Sequence, residues 1–177
     1  MRLIKSTVHP DISDLTAVTT VRNAARGIVL KEQKIFLVYT QRYQDFSLPG
    51  GGINHNEDNI SALKRELAEE TGAQNLRNIK AFGCFEEFRP SNKGSSDIVQ
   101  MISYCYRCDI DDQLRPPQFE AHEIKNGMSV HWMDIDRAIE HNLETLAHSD
   151  KQGLSILRET YLLQLIVKEW RLLATQF

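Results

Sequence analysis

At 177 residues, 41% hydrophobic and 25% charged, the chain can bury one core without disulfide or metal staples, and it is read as a single domain over 1–177. Its formal net charge of −3 disfavours nucleic acid as a partner, because phosphate backbones select a basic surface. No apolar run reaches membrane-spanning length, no hydrophobic signal region opens the chain, and three cysteines cannot all pair within it, so a membrane partner is not expected and a cytoplasmic setting is.

Residues 1–22 are mixed in character and are expected to supply an arm or an edge strand. Ala24–Leu30 and Ile35–Tyr39 are apolar and rich in β-branched residues, with polar Lys31–Lys34 between them, which predicts a hairpin. Gln41–Phe46 reads as a polar connection, and Leu48-Pro49-Gly50-Gly51-Gly52 is incompatible with regular structure. A helix follows, with Asp58 as its N-cap and Gly72 just past its end. Ile60, Leu63 and Leu67 form its apolar stripe.

Ile79–Phe88 and Ile98–Cys108 read as longer strands, joined by the turn-rich Arg89–Asp97. Cys105 and Cys108 form a C-x-x-C, but on a strand i and i+3 face opposite sides, so they are expected to be structural. Asp109–Pro117 is a loop, followed by the acidic stretch Glu120–Glu123. Val130–Met133 is a short strand, and Asp134 or Asp136 caps a helix running to about Asn142. The segment 153–177 holds a C-terminal helix, Ser155–Leu173, apolar on so wide an arc that it must close over the core or meet a second copy in a homodimer. Strands interleaved with a few helices make an α/β or α+β sandwich.

The helix after the glycine run carries the chemistry. Glu66, Glu69 and Glu70 stand at i, i+3 and i+4, so a helix turns all three carboxylates to one side. Three like charges that close repel unless a cation sits among them, and an all-oxygen set suits Mg²⁺ or Mn²⁺. Arg65, four residues before Glu69, can fix that carboxylate by charge-assisted hydrogen bonds. Glu57 can orient a neighbour, serve as an outer metal ligand, or simply complement the helix dipole.

These residues also resemble a known motif. The spacing G-x5-E-x7-R-E-U-x-E-E-x-G-U, with U a bulky aliphatic, is the Nudix box, and here it runs Gly51, Glu57, Arg65-Glu66-Leu67, Glu69-Glu70, Gly72, Ala73. Every polar position matches; the single departure is Ala73, small where the family has a larger aliphatic residue. The lead-in Ser47-Leu48-Pro49-Gly50 is similar as well.

The resemblance implies an α/β fold of the Nudix type, an α/β/α sandwich around a mixed sheet. It implies Mg²⁺-dependent hydrolysis of a phosphoanhydride in a nucleoside diphosphate linked to another moiety, with the backbone carbonyl of Gly50 as a further metal ligand. Some members take a catalytic base from outside the box, for which Glu120 and Glu123 are the candidates. Arg26, Arg42 and Arg89 are candidate cations for a small nucleotide substrate. Pro90, 17 residues beyond Ala73, lies near a proline of ADP-ribose hydrolases, while nucleoside triphosphates remain open. A non-catalytic domain that senses nucleotides and regulates a partner is the alternative.

Overall fold

The computed structural model describes residues 1–91 and 98–174. In chain order its elements are β1 (Leu3–Val8), β2 (Val18–Ile28), β3 (Leu30–Lys31), β4 (Lys34–Thr40), β5 (Asp45–Ser47), α1 (Asn59–Thr71), β6 (Arg77–Pro90), β7 (Ile98–Asp109), α2 (Ala121–Asn126), β8 (Met128–Asp134), α3 (Ile135–His148) and α4 (Ile156–Ala174). The first sheet has the order β1-β6-β7-β2. Its central pair β6/β7 is antiparallel, and the outer strands β1 and β2 run parallel to their neighbours, so the sheet is mixed. The second sheet places β4 between β8 on one edge and β3 and β5 on the other.

Apolar residues on both faces of the strands explain the layering. On one side Leu63 and Leu67 of α1 pack with Ala25, Val29, Phe36 and Tyr106, and both leucines are fully buried. On the other side Leu162, Leu163 and Ile166 of α4 pack with Ile28, Leu37, Phe46 and Phe85. Each fully buried aliphatic side chain contributes roughly 1.5–3 kcal/mol. The wide apolar arc of α4 is thus spent largely on this core, although Leu157 and Leu172 stay exposed. Cys105 belongs to the α4 side and Cys108 to the α1 side, so the C-x-x-C straddles the sheet as its strand spacing requires. Ala73 is buried in the α1 core.

Several boundaries differ from expectation. The hairpin over Ala24–Tyr39 shrinks to Leu30 and Lys31 pairing with Ile35 and Lys34, because Ala24–Ile28 runs beside β7 in the other sheet. The polar connection Gln41–Phe46 ends in a strand: Asp45 and Phe46 open β5, and the buried Asn142 side chain pins Phe46 at both its N–H and its carbonyl, each 2.8 Å away. Glu120–Glu123 is not loop but the start of α2, closed by a reciprocal cap between Glu120 and Glu123. Asp134 caps α3, which runs on to His148. The turn expected over Arg89–Asp97 lies partly outside the described residues, and β6 extends to Pro90. No helix among the described residues is long and apolar enough to cross a membrane.

Candidate active site

The glycine-rich segment lies along the outer edge of β2. The N–H groups of Gly27 and Ala25 donate to the carbonyls of Pro49 and Gly51 (2.8 and 3.0 Å), and Ile53 donates back to Asn23 (2.9 Å). Backbone pairing therefore fixes the segment before any side chain acts. Gly50 has φ +132°, and a side chain there would strike the Ala25 carbonyl oxygen. At Gly51 a side chain would occupy the space of the Glu66 carboxylate. Glycine at both positions lets the acid helix come against β2.

Asp58 caps α1 as expected, accepting from the N–H groups of Ile60 and Ser61 at 2.9 and 3.0 Å, and Gly72 ends it in the left-handed conformation. With Leu63 and Leu67 committed to the core, Glu66, Glu69 and Glu70 turn toward a cavity of about 690 Å³ bounded on its other sides by β2, β5, α2 and the start of α4. Glu70 is buried and accepts from the Gly50 N–H at 2.6 Å. Burial pushes its carboxyl up to about 8, against the pull of Arg26 and the Gly50 hydrogen bond, while Glu123 and Glu66 push it further up. Glu66 is also raised, first by burial, with Arg65 opposing.

Arg65 spends all its donors here. It grips both oxygens of Glu57 (2.9 and 2.8 Å), the carbonyl of Gly52 (2.8 Å), Glu66 (2.7 Å) and Glu69 (3.1 Å). The grip holds the Glu57 carboxyl down at about 2. Glu57 consequently faces Arg65 and is absent from the cavity wall, whereas Glu66 and Glu69 are in it.

The other sequence candidates separate by position. Arg26 reaches across β2 to donate to the Gly50 carbonyl and lines the cavity. Arg42 does not line it; the exposed guanidinium donates to Asn126 at 3.1 Å and lies over the Tyr43 ring. Arg89 faces a neighbouring apolar cavity of about 380 Å³ beside β1 and α4. Glu123, buried on α2, faces Glu70 closely enough to raise it, while Glu120 is exposed and sits 3.1 Å from His122.

Sequence reading missed the far wall. Arg158 is almost wholly buried and joins Glu87 and Glu159, and Glu159 in turn accepts from the Leu48 N–H at 3.0 Å. This network ties α4 to the stretch that presents Gly50. Asp45 and Arg22 also line the cavity. A Glu in a 19-residue helix or an Arg near a strand start carries no local mark of such a role; only Arg26, a charge inside an apolar strand, did.

The donor set fits a hard divalent cation. Glu66, Glu69, Glu70 and the Gly50 carbonyl are all oxygen donors on one cavity, and cationic side chains already answer them: Arg65 on Glu66 and Glu69, Arg26 on Gly50. They do not converge on one point. Among the described residues no three His, Cys, Asp or Glu side chains stand close enough together to enclose an ion as they are. Arg65 takes one oxygen of Glu66 and one of Glu69.

A model of the NUDIX domain matches residues 18–155. An 8-oxo-dGTP diphosphatase from Buchnera aphidicola subsp. Schizaphis graminum is 34% identical over 70 residues, 37% of this chain and 53% of that protein. An RNA pyrophosphohydrolase from Bartonella henselae is 46% identical over 41 residues, 23% of this chain and 24% of that one. The matches thus span about half of the first relative and about a quarter of the second. Among solved structures, a MutT NUDIX hydrolase from Burkholderia pseudomallei aligns at TM-score 0.50 and 17% identity, covering 67% of this chain and 86% of its own. A nudix hydrolase family member from Chromobacterium violaceum aligns at 0.51 and 18%, covering 85% and 79%. At such identities these likenesses speak for the fold, a mixed α/β architecture. Family enzymes generally use a divalent metal. With its box intact and the family's domain matched over most of its length, the chain belongs to the Nudix family.

Proposed function

We propose that the chain is a pyrophosphohydrolase, dependent on Mg²⁺ or Mn²⁺, that cleaves a phosphoanhydride in a small nucleotide. The observation that carries this is the sharing of one cavity by Glu66, Glu69, Glu70, Glu123 and the Gly50 carbonyl, with Arg26 against that carbonyl. So many carboxylates in a protein of net charge −3 would repel a diphosphate unless cations intervened.

Glu66, Glu69, Glu70 and Gly50 would hold the ion, which when bound neutralises phosphoryl oxygens and acidifies a water. Arg65 positions Glu66 and Glu69, and Glu57 positions Arg65. Glu123 is the better placed base: both glutamates line the cavity, but Glu123 is buried in its wall beside Glu70, whereas Glu120 is largely exposed at its rim. Arg26 is the cation nearest the reacting phosphoryl group. The named activities of the two relatives support a nucleoside triphosphate or a related nucleotide. Three free thiols, Cys84, Cys105 and Cys108, support a reducing, cytoplasmic setting.

The test is turnover of a panel of nucleoside triphosphates and nucleoside diphosphates linked to sugars, with Mg²⁺, with Mn²⁺ and with chelator. Metal-dependent release of a mononucleotide is expected. Tight nucleotide binding without turnover on any member would instead make the chain a sensor.

A further inference from the structure

The inner face of the first sheet carries more positive charge than its own acids answer. Paired residues share a face, so Arg22, Met101 and Glu87 form one row across β2, β7 and β6. Arg26 lies four residues along β2 and Arg89 two residues along β6, both on that same face. Strand spacing puts the Cα atoms of Arg22 and Arg89 roughly 12 Å apart on the diagonal. Two arginine side chains can meet across that gap on one anion.

The acids of this face are already engaged. Glu87 is buried and bonded to Arg158, and Glu159 is bonded to Arg158 and to Leu48. Arg26 is turned to Gly50, with its Nε buried and without a hydrogen-bond partner. Among the described residues neither the Arg22 nor the Arg89 side chain has a hydrogen bond or ion pair. Arg89 is nevertheless about half-buried, and its guanidinium is held below its usual value, first by burial, with Arg158, Arg22 and Arg26 adding to that against Glu87. A desolvated, unpaired guanidinium is costly unless an anion completes it.

We propose that Arg22 and Arg89 form a second anion site, which takes a phosphoryl group of the substrate that lies beyond the bond being broken. The site rests on the hydrolase reading for its substrate but not for its existence. It stands where the acid cavity, lined by Arg22, meets the apolar cavity, lined by Arg89, with Arg158 in both walls. A phosphate chain that starts at the acids and runs along β2 past Arg26 therefore heads toward these two arginines. Such a chain needs more than two phosphoryl groups, so the geometry favours nucleoside triphosphates over sugar-linked nucleoside diphosphates, which offer no further phosphate at that end.

The experiment is calorimetric titration of the full chain with inorganic tripolyphosphate in the presence of chelator, where the acid cavity cannot contribute through a metal. Binding by the wild type is expected, with Arg22→Gln and Arg89→Gln each weakening it about tenfold. Lys80→Gln, an exposed cation elsewhere on β6, should not change it. Arg22 is exposed, so its variant tests the site without risk to the core. With Mg²⁺ present, both variants should raise KM for a nucleoside triphosphate about tenfold while leaving KM for ADP-ribose unchanged. Wild-type affinity in both variants, or no metal-free binding at all, overturns the site while leaving metal-dependent turnover untouched. Binding that depends on both arginines, without turnover of any nucleotide, would keep the site and overturn the hydrolase reading.

Discussion

The two walls of the cavity are built in different ways. The acid wall is one continuous segment, Gly50 to Gly72, in which a loop pinned to β2 and a capped helix place Glu66, Glu69, Glu70 and their clamp Arg65. The facing wall is assembled from separate elements: Arg22 and Arg26 on β2, Asp45 on β5, Glu123 on α2, and Arg158 and Glu159 on α4, with Glu87 of β6 behind Arg158. The first wall is set by local spacing and can keep its chemistry when distant residues change. The second exists only once the chain has folded, so its residues should couple stability to activity.

The largest effect expected from that contrast is on the acid wall. Glu69→Gln removes a charge from a half-exposed carboxylate whose side-chain partner among the described residues is Arg65, so the fold should survive while kcat falls roughly 10²–10⁴-fold. Steady-state kinetics beside a melting curve checks both halves. A variant with full rate would mean that Glu69 neither binds metal nor handles a proton.

On the facing wall the order reverses, with stability leading. Glu159→Ala strips buried Arg158 of one partner and leaves the Leu48 N–H without its acceptor. Breaking a buried ion pair from one side costs about 3–5 kcal/mol. Denaturant unfolding should show that loss, and the surviving folded enzyme should have a lower kcat because Leu48 leads directly into Gly50. A loss below about 1 kcal/mol would show that α4 does not anchor the loop.

A smaller effect than on either wall is expected from Arg65→Lys. An ammonium cannot span Glu57, Glu66, Glu69 and the Gly52 carbonyl together as the planar guanidinium does. Activity should fall about 10- to 100-fold, with the midpoint of metal dependence shifted to higher concentration. Unchanged metal dependence would reduce Arg65 to a helix-surface ion pair.

The same division explains what the sequence disclosed. Capping by Asp58, termination at Gly72, the buried Leu63–Leu67 stripe and the acid face all follow from period and local chemistry, and each stands where spacing put it. Resemblance to the Nudix box supplied the α/β architecture, which periodicity alone left between two classes. The hairpin over Ala24–Tyr39 failed because two adjacent apolar strands look alike whether they pair with each other or with partners far along the chain; β7, which pairs with β2, lies some seventy residues on. Arg42 and Arg26 were indistinguishable by type, and only the strand edge against Gly50 separates them. Glu120 and Glu123 could be told apart only once α2 was seen to bury one and expose the other.

The smallest expected effect sharpens the claim that the facing wall trades stability for its electrostatics. Asp45 is buried on that wall, and its carboxyl is pushed up to about 6, first by burial, then by Glu159, with Arg158 opposing. A carboxyl whose folded pKa lies above its unfolded value near 3.8 binds its proton more tightly when folded. Its stabilising contribution is therefore complete below about pH 4 and is lost as the pH rises through about 6. At pH 8 the wild type should carry a penalty of at most about 3 kcal/mol from this one group. Asp45→Asn should melt higher than wild type at pH 8, with the advantage gone by pH 4. A difference in Tm that stays constant from pH 4 to pH 8 would place the carboxylate in contact with water, and the facing wall would then be a wet rim instead of a buried electrostatic support for the Gly50 segment.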